Sequence, residues 1–275
     1  QDYFARGIRK IDVNETGAIV LVLTDETQVT SVNVKASVTR KQHMISNVVG
    51  VLPGQELKEE VVLYSAHYDH LGAKGDSNDV IYNGADDDAS GTTAVINLAE
   101  HFASRKDNER TLMFAAFTAE ELGGYGSKYF SKQLDPQQIV AMINIEMIGK
   151  PSKFGAGTMW MTGAERSDLQ HLLNQRLAKD NQQIYTDPYP KQQLFYRSDN
   201  ATLAGFGVPA HSFSTTQLEK DKHYHQVSDD IHSLDLESMY QVIGQLAVAV
   251  EGLNNGKQTP NRIEPLKERQ HGLIF

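Results

Sequence analysis

Five short clusters of this chain place histidine, aspartate and glutamate where they could bind a metal ion or transfer a proton. The first is Ser65-Ala66-His67-Tyr68-Asp69-His70, which directly follows the apolar run Val61 to Tyr64. Residues two apart on a strand point to the same face, so we expect Asp69 to lie beside His67 and to orient its imidazole ring. A His-x-Asp triplet alone is more often an ordinary loop, so its meaning depends on the other clusters.

The second cluster places three consecutive aspartates, Asp86 to Asp88, between Gly84 and Gly91 at the start of a predicted helix. One aspartate is enough to cap a helix, because its carboxylate accepts the free N–H groups of the first turn. Three adjacent carboxylates repel one another, and a bound cation would offset that repulsion. The cluster therefore favours a metal site over a helix cap.

The other three clusters add two glutamate positions and a histidine-rich loop. Glu120 and Glu121 follow an apolar run, and adjacent residues at the end of a strand point to different sides, which suits one metal ligand and one proton carrier. Glu146 ends another apolar run, where an unpaired charge is rarely buried. The loop that contains His223 and His225 supplies a further imidazole.

Together these clusters predict metal-assisted hydrolysis. Four of the five follow apolar strands or open helices, and an open α/β sheet gathers its ligands outside the carboxyl ends of its strands. The chain has no cysteine, which leaves imidazole and carboxylate ligands. Two imidazoles and three carboxylates are the ligand set of two zinc-like ions that share one carboxylate and lie about 3.5 to 4 Å apart.

The elements that position these residues alternate between strand and helix from residue 46 onward, which is typical of a βαβ sheet and predicts an α/β fold. The predicted strands span 47–52, 61–66, 111–117, 139–147, 158–162 and 208–214. The predicted helices span 88–104, 126–133, 167–179 and 236–253. Two stretches, 71–84 and 180–199, fit no element, and long irregular segments in a compact domain often line a site.

We predict three parts of the chain: an N-terminal β segment over 1–44, a catalytic domain over 45–255 and a C-terminal tail over 256–275. The N-terminal segment contains two predicted strands, Gly17 to Thr24 and Val29 to Thr39. With 275 residues, 40% of them apolar and 22% charged, the composition is that of a folded protein.

Charge and hydropathy narrow the possible partners. The net charge is −9 and no cluster of lysine and arginine is present, which disfavours nucleic acid. No run approaches the roughly 18 apolar residues of a transmembrane segment. The chain begins at Gln1 without a leader, which favours a processed N-terminus and a periplasmic or secreted location.

In the order and spacing of its clusters, the sequence resembles the dinuclear zinc exopeptidases of clan MH, and among them the secreted bacterial leucyl-type aminopeptidases. Glutamate carboxypeptidase and glutaminyl cyclase are relatives in that clan. The resemblance covers roughly residues 47 to 253 and implies a three-layer αβα sandwich with a mixed, mostly parallel central sheet, acting on peptide substrates. It rests on His67-x-Asp69, Gly84 to Gly91, Phe117-Thr118-Ala119-Glu120-Glu121, Asn144 to Gly149, Ser198-Asp199-Asn200 and Tyr224-His225.

The resemblance also implies the metal ligands. Asp87 would bridge two zinc ions, although cobalt or manganese suits the same ligand types. The first ion would add His67 and Glu146. The second ion would add Glu121 and His225.

Further roles follow from the same resemblance. Glu120 would be the general base, Asp69 would orient the first ligand histidine, and Tyr224 would donate a hydrogen bond to the oxyanion. The peptide bond between Asp87 and Asp88 would be cis, as in relatives.

The sequence departs from the family pattern at one ligand. Most relatives carry aspartate where this chain carries Glu146, and the extra methylene would change the metal spacing or the way the carboxylate binds. Relatives that act as single-zinc cyclases lack the first ligand histidine, so the presence of His67 favours a peptidase.

Three other functions stay open beside an aminopeptidase. A carboxypeptidase would share every residue named and would add a basic pocket for a terminal carboxylate, for which Lys191 and Arg197 are candidates. A glutaminyl cyclase-like transferase is disfavoured by His67. A non-catalytic binding domain on the same fold usually has eroded ligands, and none of the five is replaced by an apolar residue here.

Overall fold

A computed structural model describes residues 24–25, 28–35, 41–75 and 78–265. The chain divides into two units, Gln1–His43 and Met44–Phe275. In the first unit the described residues 28–35 contain no strand, so the predicted strand Val29 to Thr39 is wrong over 29–35. A strand is stabilised by hydrogen bonds to a neighbouring strand, and none pairs with these residues within the described part of the chain. The other predicted strand, Gly17 to Thr24, lies outside the described residues except for Thr24.

The second unit contains the alternating strands and helices that the sequence predicts. Its strands are β1 (Val48–Leu52), β2 (Leu57–His67), β3 (Gly72–Ala73), β4 (Ile81–Tyr82), β5 (Arg110–Phe117), β6 (Ile139–Ile145), β7 (Trp160–Met161), β8 (Tyr185–Thr186) and β9 (Ala210–Ser214). Its α-helices are α1 (Gly91–Arg105), α2 (Tyr125–Ser131), α3 (Leu169–Leu177), α4 (Asn200–Ala204), α5 (Leu236–Ala249) and α6 (Glu251–Asn254). The predicted helix 88–104 begins later, at Gly91, because Asp87 and Asp88 have non-helical backbone angles.

Seven of the strands form one sheet in the order β1-β5-β2-β6-β9-β7-β8. The central strands β5, β2, β6 and β9 run parallel to one another. At the two edges, β1 is antiparallel to β5 and β7 is antiparallel to β9. The sheet is therefore mixed and mostly parallel, which confirms the predicted fold class.

Helices cover both faces of this sheet. Side chains alternate between the faces along β2, so Val62 and Tyr64 pack into one hydrophobic core with α1, α3 and α5. Val61 and Leu63 pack into a second core with α4. Burial of each such aliphatic or aromatic side chain stabilises the fold by about 1.5 to 3 kcal/mol. The result is the three-layer αβα sandwich implied by the resemblance.

The two stretches that fit no element contain little regular structure. Within 71–84, β3 and β4 pair as a small antiparallel sheet. Within 180–199, β8 is followed by two short 3₁₀ turns, Pro190–Gln192 and Leu194–Tyr196. Among the described residues, no helix is both long and apolar enough to cross a membrane.

The first described residues of the predicted tail are held by a buried arginine. Arg110 donates hydrogen bonds to the carbonyl oxygens of Leu253 and Gln258 and to the Thr259 hydroxyl, and it forms an ion pair with Glu60. The start of the tail is thus fastened to β5. The boundaries at residues 44 and 255 stay predictions.

Candidate metal centre

The predicted site residues meet at the carboxyl edge of the sheet. Strand β2 ends at His67, and Glu146 directly follows β6. The turn after β5 carries Glu120 and Glu121. Because β5, β2 and β6 are adjacent and parallel, their carboxyl ends lie together. The loop before α5 brings His225 to the same place.

Asp87 lies at the centre of this group. Its Oδ1 is 3.2 Å from Nε2 of His67, which is 3.5 Å from Oε1 of Glu146. Its Oδ2 is 3.1 Å from Nε2 of His225, which is 3.2 Å from Oε2 of Glu121. Each oxygen of Asp87 thus faces a separate imidazole and carboxylate. We call His67 and Glu146 the strand-borne half of the site, and Glu121 and His225 the loop-borne half.

His70 joins the site although sequence reasoning gave it no role. Its Nδ1 is 2.7 Å from Oε1 of Glu121 and 3.8 Å from Oδ2 of Asp87. Its ring lies edge-on to that of His225, with 5.6 Å between the centroids. A ligand-type side chain three residues after His67, in the same cluster, is the signal that could have identified it.

The three consecutive aspartates have three different environments. Asp86 accepts the N–H of Gly149 and lies 3.1 Å from Nζ of Lys150. Asp88 accepts the N–H groups of Gly91 and Met147, although one of its oxygens also lies near the ligand atoms of the strand-borne half. Asp86 and Asp88 thus have protein partners that offset part of the repulsion among the three carboxylates, and the metal site at this cluster stays a prediction. The Asp87–Asp88 peptide bond is cis, as the resemblance implies.

Lys150 and Asp229 fasten the His225 loop to the aspartate turn. The Asp229 carboxylate accepts the N–H groups of Asp86 and Asp87. Nζ of Lys150 lies 3.1 Å from Asp86 and 3.1 Å from Asp221, which is part of the same loop. The loop-borne half therefore rests on a network of charges that also holds the backbone of Asp87.

Asp69 contacts both halves, through different atoms. Nδ1 of His67 lies 2.9 Å from the Asp69 carbonyl oxygen and 3.7 Å from its carboxylate. The carboxylate instead accepts the N–H groups of Glu120 and Glu121. Asp69 thus orients the histidine mainly through its backbone and orients the glutamate turn through its side chain. An Nδ1–H donated to the carbonyl leaves the lone pair of Nε2 free to bind a metal.

Glu120 and Tyr224 flank this centre. Burial raises the pKa of Glu120 well above its usual range, His67 opposes the rise and the Glu146 carboxylate adds to it. The Tyr224 ring stacks on that of His225 at 3.9 Å and is 41% exposed. Burial also raises the pKa of Tyr224, so its hydroxyl remains a hydrogen-bond donor at neutral pH.

The electrostatics of the centre fit a bound cation. Burial alone would lower the pKa of His67, but the carboxylates of Glu146 and Asp87 outweigh it and the pKa lies well above the usual range. Burial likewise opposes the rise at His225, where hydrogen bonds to Asp87 and Glu121 raise the pKa to about 9. Sites that favour protonated imidazoles so strongly have an excess of negative charge, which a divalent ion would neutralise. The buried Nε2 of His67 also makes no hydrogen bond to any residue that the structure describes, as expected of a ligand atom.

A buried polar chain holds Glu146. The Ser198 hydroxyl donates to Oε2 of Glu146 at 2.5 Å and accepts from the amide of Asn144 at 2.7 Å. Asn144 also accepts the Ser65 hydroxyl from the neighbouring strand. The longer side chain at this position is therefore directed by a fixed hydrogen bond. Sequence reasoning cited Ser198 as part of a motif without giving it this role.

Three residues beside the site adopt left-handed backbone angles that residues other than glycine rarely adopt. They are Ala119 (φ 57°), Met147 (φ 52°) and His225 (φ 57°). Such conformations cost of order 1 kcal/mol or more each and persist where the surroundings impose them, often at functional sites. Ala119 precedes Glu120, Met147 follows Glu146, and His225 is itself a ligand-type residue.

The sheet topology defines an α/β protein, and the cluster at the carboxyl edge of the sheet consists of side chains that commonly bind metal ions. The sequence model of peptidase family M28 matches residues 47–250, and the chain belongs to that family. This confirms the resemblance.

Named relatives agree with the family. A probable zinc metalloprotease of Leptosphaeria maculans is 29% identical over 151 residues, 54% of this chain and 34% of that protein. Aminopeptidase Y of Saccharomyces cerevisiae is 25% identical over 190 residues, 62% of this chain and 34% of that protein. The structure of BSAP, a zinc aminopeptidase from Bacillus subtilis, has a TM-score of 0.62 at 21% identity, over 80% of this chain and 53% of that one. The chain thus spans about a third of the length of these curated relatives and about half of that structure.

Proposed function

We propose that this protein is a metal-dependent exopeptidase, in the first place an aminopeptidase that releases N-terminal residues from peptides. The observation that carries the proposal is the position of Asp87, whose two oxygens face two separate pairs of imidazole and carboxylate. Membership in the M28 family and the names of its relatives support it.

Two zinc ions are the proposed cofactors. The strand-borne half and Asp87 would hold one ion, and the loop-borne half and Asp87 would hold the other. When bound, zinc ions lower the pKa of water and polarise the scissile carbonyl group. Cobalt or manganese would suit the same oxygen and nitrogen ligands.

Glu120 carries the proton in this mechanism. Its raised pKa suits a carboxylate that takes a proton from the attacking water and returns it to the leaving amine. Tyr224 donates a hydrogen bond from its neutral hydroxyl to the oxyanion that develops on the scissile carbonyl. Asp69 keeps Glu120 in position by accepting its backbone N–H.

A carboxypeptidase is the second candidate. Arg197, one of the two basic residues proposed for a terminal carboxylate, lines a cavity that also contacts Glu146 and Tyr224. Lys191 is exposed and does not line that cavity. A glutaminyl cyclase-like reaction and a non-catalytic binding role remain outcomes of the test below.

The test compares a short peptide with a free N-terminus, its N-acetylated twin and its C-terminal amide, each before and after chelation and after zinc is restored. We expect cleavage of the free and amidated peptides, loss on chelation and recovery with zinc. Cleavage of the acetylated peptide but not the amide would identify a carboxypeptidase, and cyclisation of an N-terminal glutamine peptide would identify a cyclase. A protein that binds no zinc would have a non-catalytic role. The periplasmic or secreted location stays a prediction, which fractionation of the source cells would check.

A further inference from the structure

A small cavity opens beside the strand-borne half of the site. Its volume is about 100 Å³, well below the roughly 300 to 1,000 Å³ of a complete small-molecule site, so it suits one side chain or end group. Glu146 and Tyr224 line it, which places it next to the proposed reaction centre. We call it the side cavity; its other lining residues include Met147, Trp160, Thr162, Leu194, Arg197 and Leu218.

Most hydroxyl groups that line the side cavity already donate to protein acceptors. The Ser198 hydroxyl donates to Glu146. The Ser212 hydroxyl donates to the side-chain oxygen of Asn200, and the Ser214 hydroxyl donates to the carbonyl oxygen of Met147. These groups have no proton left for a ligand.

Three residues that line the side cavity carry a donor with no acceptor among the described residues. Trp160 is only 3% exposed, and within the described part of the chain its buried Nε1–H has no hydrogen-bond partner. Arg197 forms no ion pair with any described residue, and its exposed side chain lines the cavity. The Thr162 hydroxyl accepts the N–H of Ser212, which leaves its own proton to donate. Tryptophan and arginine side chains donate hydrogen bonds and cannot accept them, so their natural partner is a group made of acceptors.

Among groups made of hydrogen-bond acceptors, the positive charge of Arg197 favours a carboxylate. Arginine binds carboxylates through charge-assisted, often bidentate hydrogen bonds. Glu146, the acid in the lining, has one oxygen facing His67 and the other bound to the Ser198 hydroxyl. Both oxygens of Glu146 therefore already have partners other than Arg197.

We infer that the side cavity binds a carboxylate of the peptide substrate through Arg197, Trp160 Nε1–H and Thr162. The inference rests on the proposed function and narrows it to a substrate class. The carboxylate can come from an acidic side chain on the N-terminal residue or from the C-terminus of the peptide. The first source makes the protein an acidic-residue aminopeptidase, and the second makes it a carboxypeptidase.

Trp160 provides a readout that does not depend on activity, because it is the single tryptophan of the chain. Zinc-loaded protein is titrated with glutaric acid monoamide, which has one carboxylate, and with glutaramide, its neutral isostere. We expect the monoamide to change the Trp160 fluorescence at lower concentration than glutaramide does. In Arg197→Met its binding should be about 10- to 100-fold weaker, the factor for losing one hydrogen bond to a charged group.

Two further variants control the titration. Arg197→Lys keeps the charge and should retain part of the affinity, and Lys191→Met removes an exposed cation of the same stretch that does not line the cavity. Equal binding of the monoamide by the parent protein and Arg197→Met, which would mean that the carboxylate binds elsewhere, overturns the inference. The same result for Lys191→Met and Arg197→Met also overturns it, because the effect would then reflect general charge.

Kinetics separate the two sources of the carboxylate. Amidated peptides that begin with glutamate, glutamine or leucine, and N-acetylated peptides with a free or amidated C-terminus, are compared by kcat/KM. A preference for glutamate over glutamine that Arg197→Met removes supports the side-chain source, and an Arg197-dependent requirement for the free C-terminus supports the other. Cleavage of the leucine peptide with no Arg197-dependent preference overturns the inference and leaves the proposed function. Binding of the monoamide that depends on Arg197, with no cleavage of any peptide, overturns the proposed function and leaves the carboxylate site.

Discussion

The two halves of the candidate metal centre are built differently. In the strand-borne half, the His67 side chain is 0% exposed and follows the hydrogen-bonded register of β2. In the loop-borne half, the His225 side chain is 34% exposed and belongs to a loop held by Lys150 and Asp229. A strand fixes its ligand through the ladder, whereas a loop needs additional ion pairs to do so.

The halves also differ in how their carboxylates are directed. Glu146 is positioned by one neutral chain of hydroxyl and amide groups, Ser198 and Asn144. Glu121 instead lies between two imidazoles, those of His70 and His225. We therefore expect the strand-borne half to be the tighter metal site and the loop-borne half to exchange its ion first.

The largest effect should come from the residue that the halves share. Asp87→Asn removes a charge that faces both imidazoles, so zinc content should fall in both halves and kcat/KM should fall by more than the roughly 10²- to 10⁴-fold of a single acid–base group. Metal analysis and peptide kinetics measure the two effects. Asp107→Asn, at an exposed carboxylate paired with Arg105, is the matched control. Full zinc content in Asp87→Asn would contradict the assignment of Asp87 as the ligand that both halves share.

Two adjacent glutamates offer the next contrast. Glu120→Gln should lower kcat by about 10²- to 10⁴-fold with zinc content unchanged, because it removes a proton carrier and no ligand. Glu121→Gln should instead lose the ion of the loop-borne half alone. Metal content measured beside kcat separates the two variants. Identical losses of zinc in both would contradict the division between ligand and base.

Much of this architecture is predictable from the sequence because buried strands and helices show characteristic patterns of apolar residues. The run before His67 and the run before Glu146 are apolar, and parallel strands gather their carboxyl ends, so the strand-borne half follows from pattern alone. The order of the clusters then identifies the family. The position of Asp87 between the two halves is also predictable, because the resemblance to the family implies it.

The remaining features depend on packing that local sequence does not encode. Gly149 and Met147, whose N–H groups bond to Asp86 and Asp88, lie about 60 positions away, so these hydrogen bonds could not be predicted from the triplet. The role of Ser198 likewise arises because its turn meets β6 in three dimensions. In the first unit the local pattern predicts too much, because the alternating residues 29–35 form no strand in the absence of a pairing partner among the described residues.

A second buried histidine lies on β9, the strand that pairs with β6. His211 of β9 pairs with Ile143 of β6, and its ring nitrogens contact the Thr162 carbonyl and the Ser167 hydroxyl. Burial lowers its pKa to about 4, against 6.5 when unfolded. Between pH 4 and pH 6.5 the His211 side chain is protonated in the unfolded state and neutral in the folded state. Its contribution to the free energy of unfolding is therefore complete above pH 6.5 and is lost as the pH falls toward 4. A pKa change of this size corresponds to about 3 kcal/mol in the free energy of unfolding.

Urea unfolding from pH 7 to pH 4 measures this loss. His211→Gln should be less stable at pH 7 but should lose less stability on acidification than the parent protein. His171→Gln, on the exposed face of α3, should follow the parent curve. Parallel curves for the parent and His211→Gln would mean that another group causes the acid sensitivity.

The smallest effect should be confined to one half. Ser198→Ala removes the hydroxyl that directs Glu146, and loss of such a supporting hydrogen bond typically lowers metal affinity by about 10- to 100-fold. Because Ser198 has no contact with Glu121 or His225, competition with a chelator should show one zinc ion released more readily and the other unchanged. Ser104→Ala, which removes a hydroxyl bound to a backbone carbonyl at the end of α1, should leave both ions unchanged. If both ions weakened together in Ser198→Ala, the two halves would form one cooperative site, and the contrast between strand and loop would describe their construction but not their energetics.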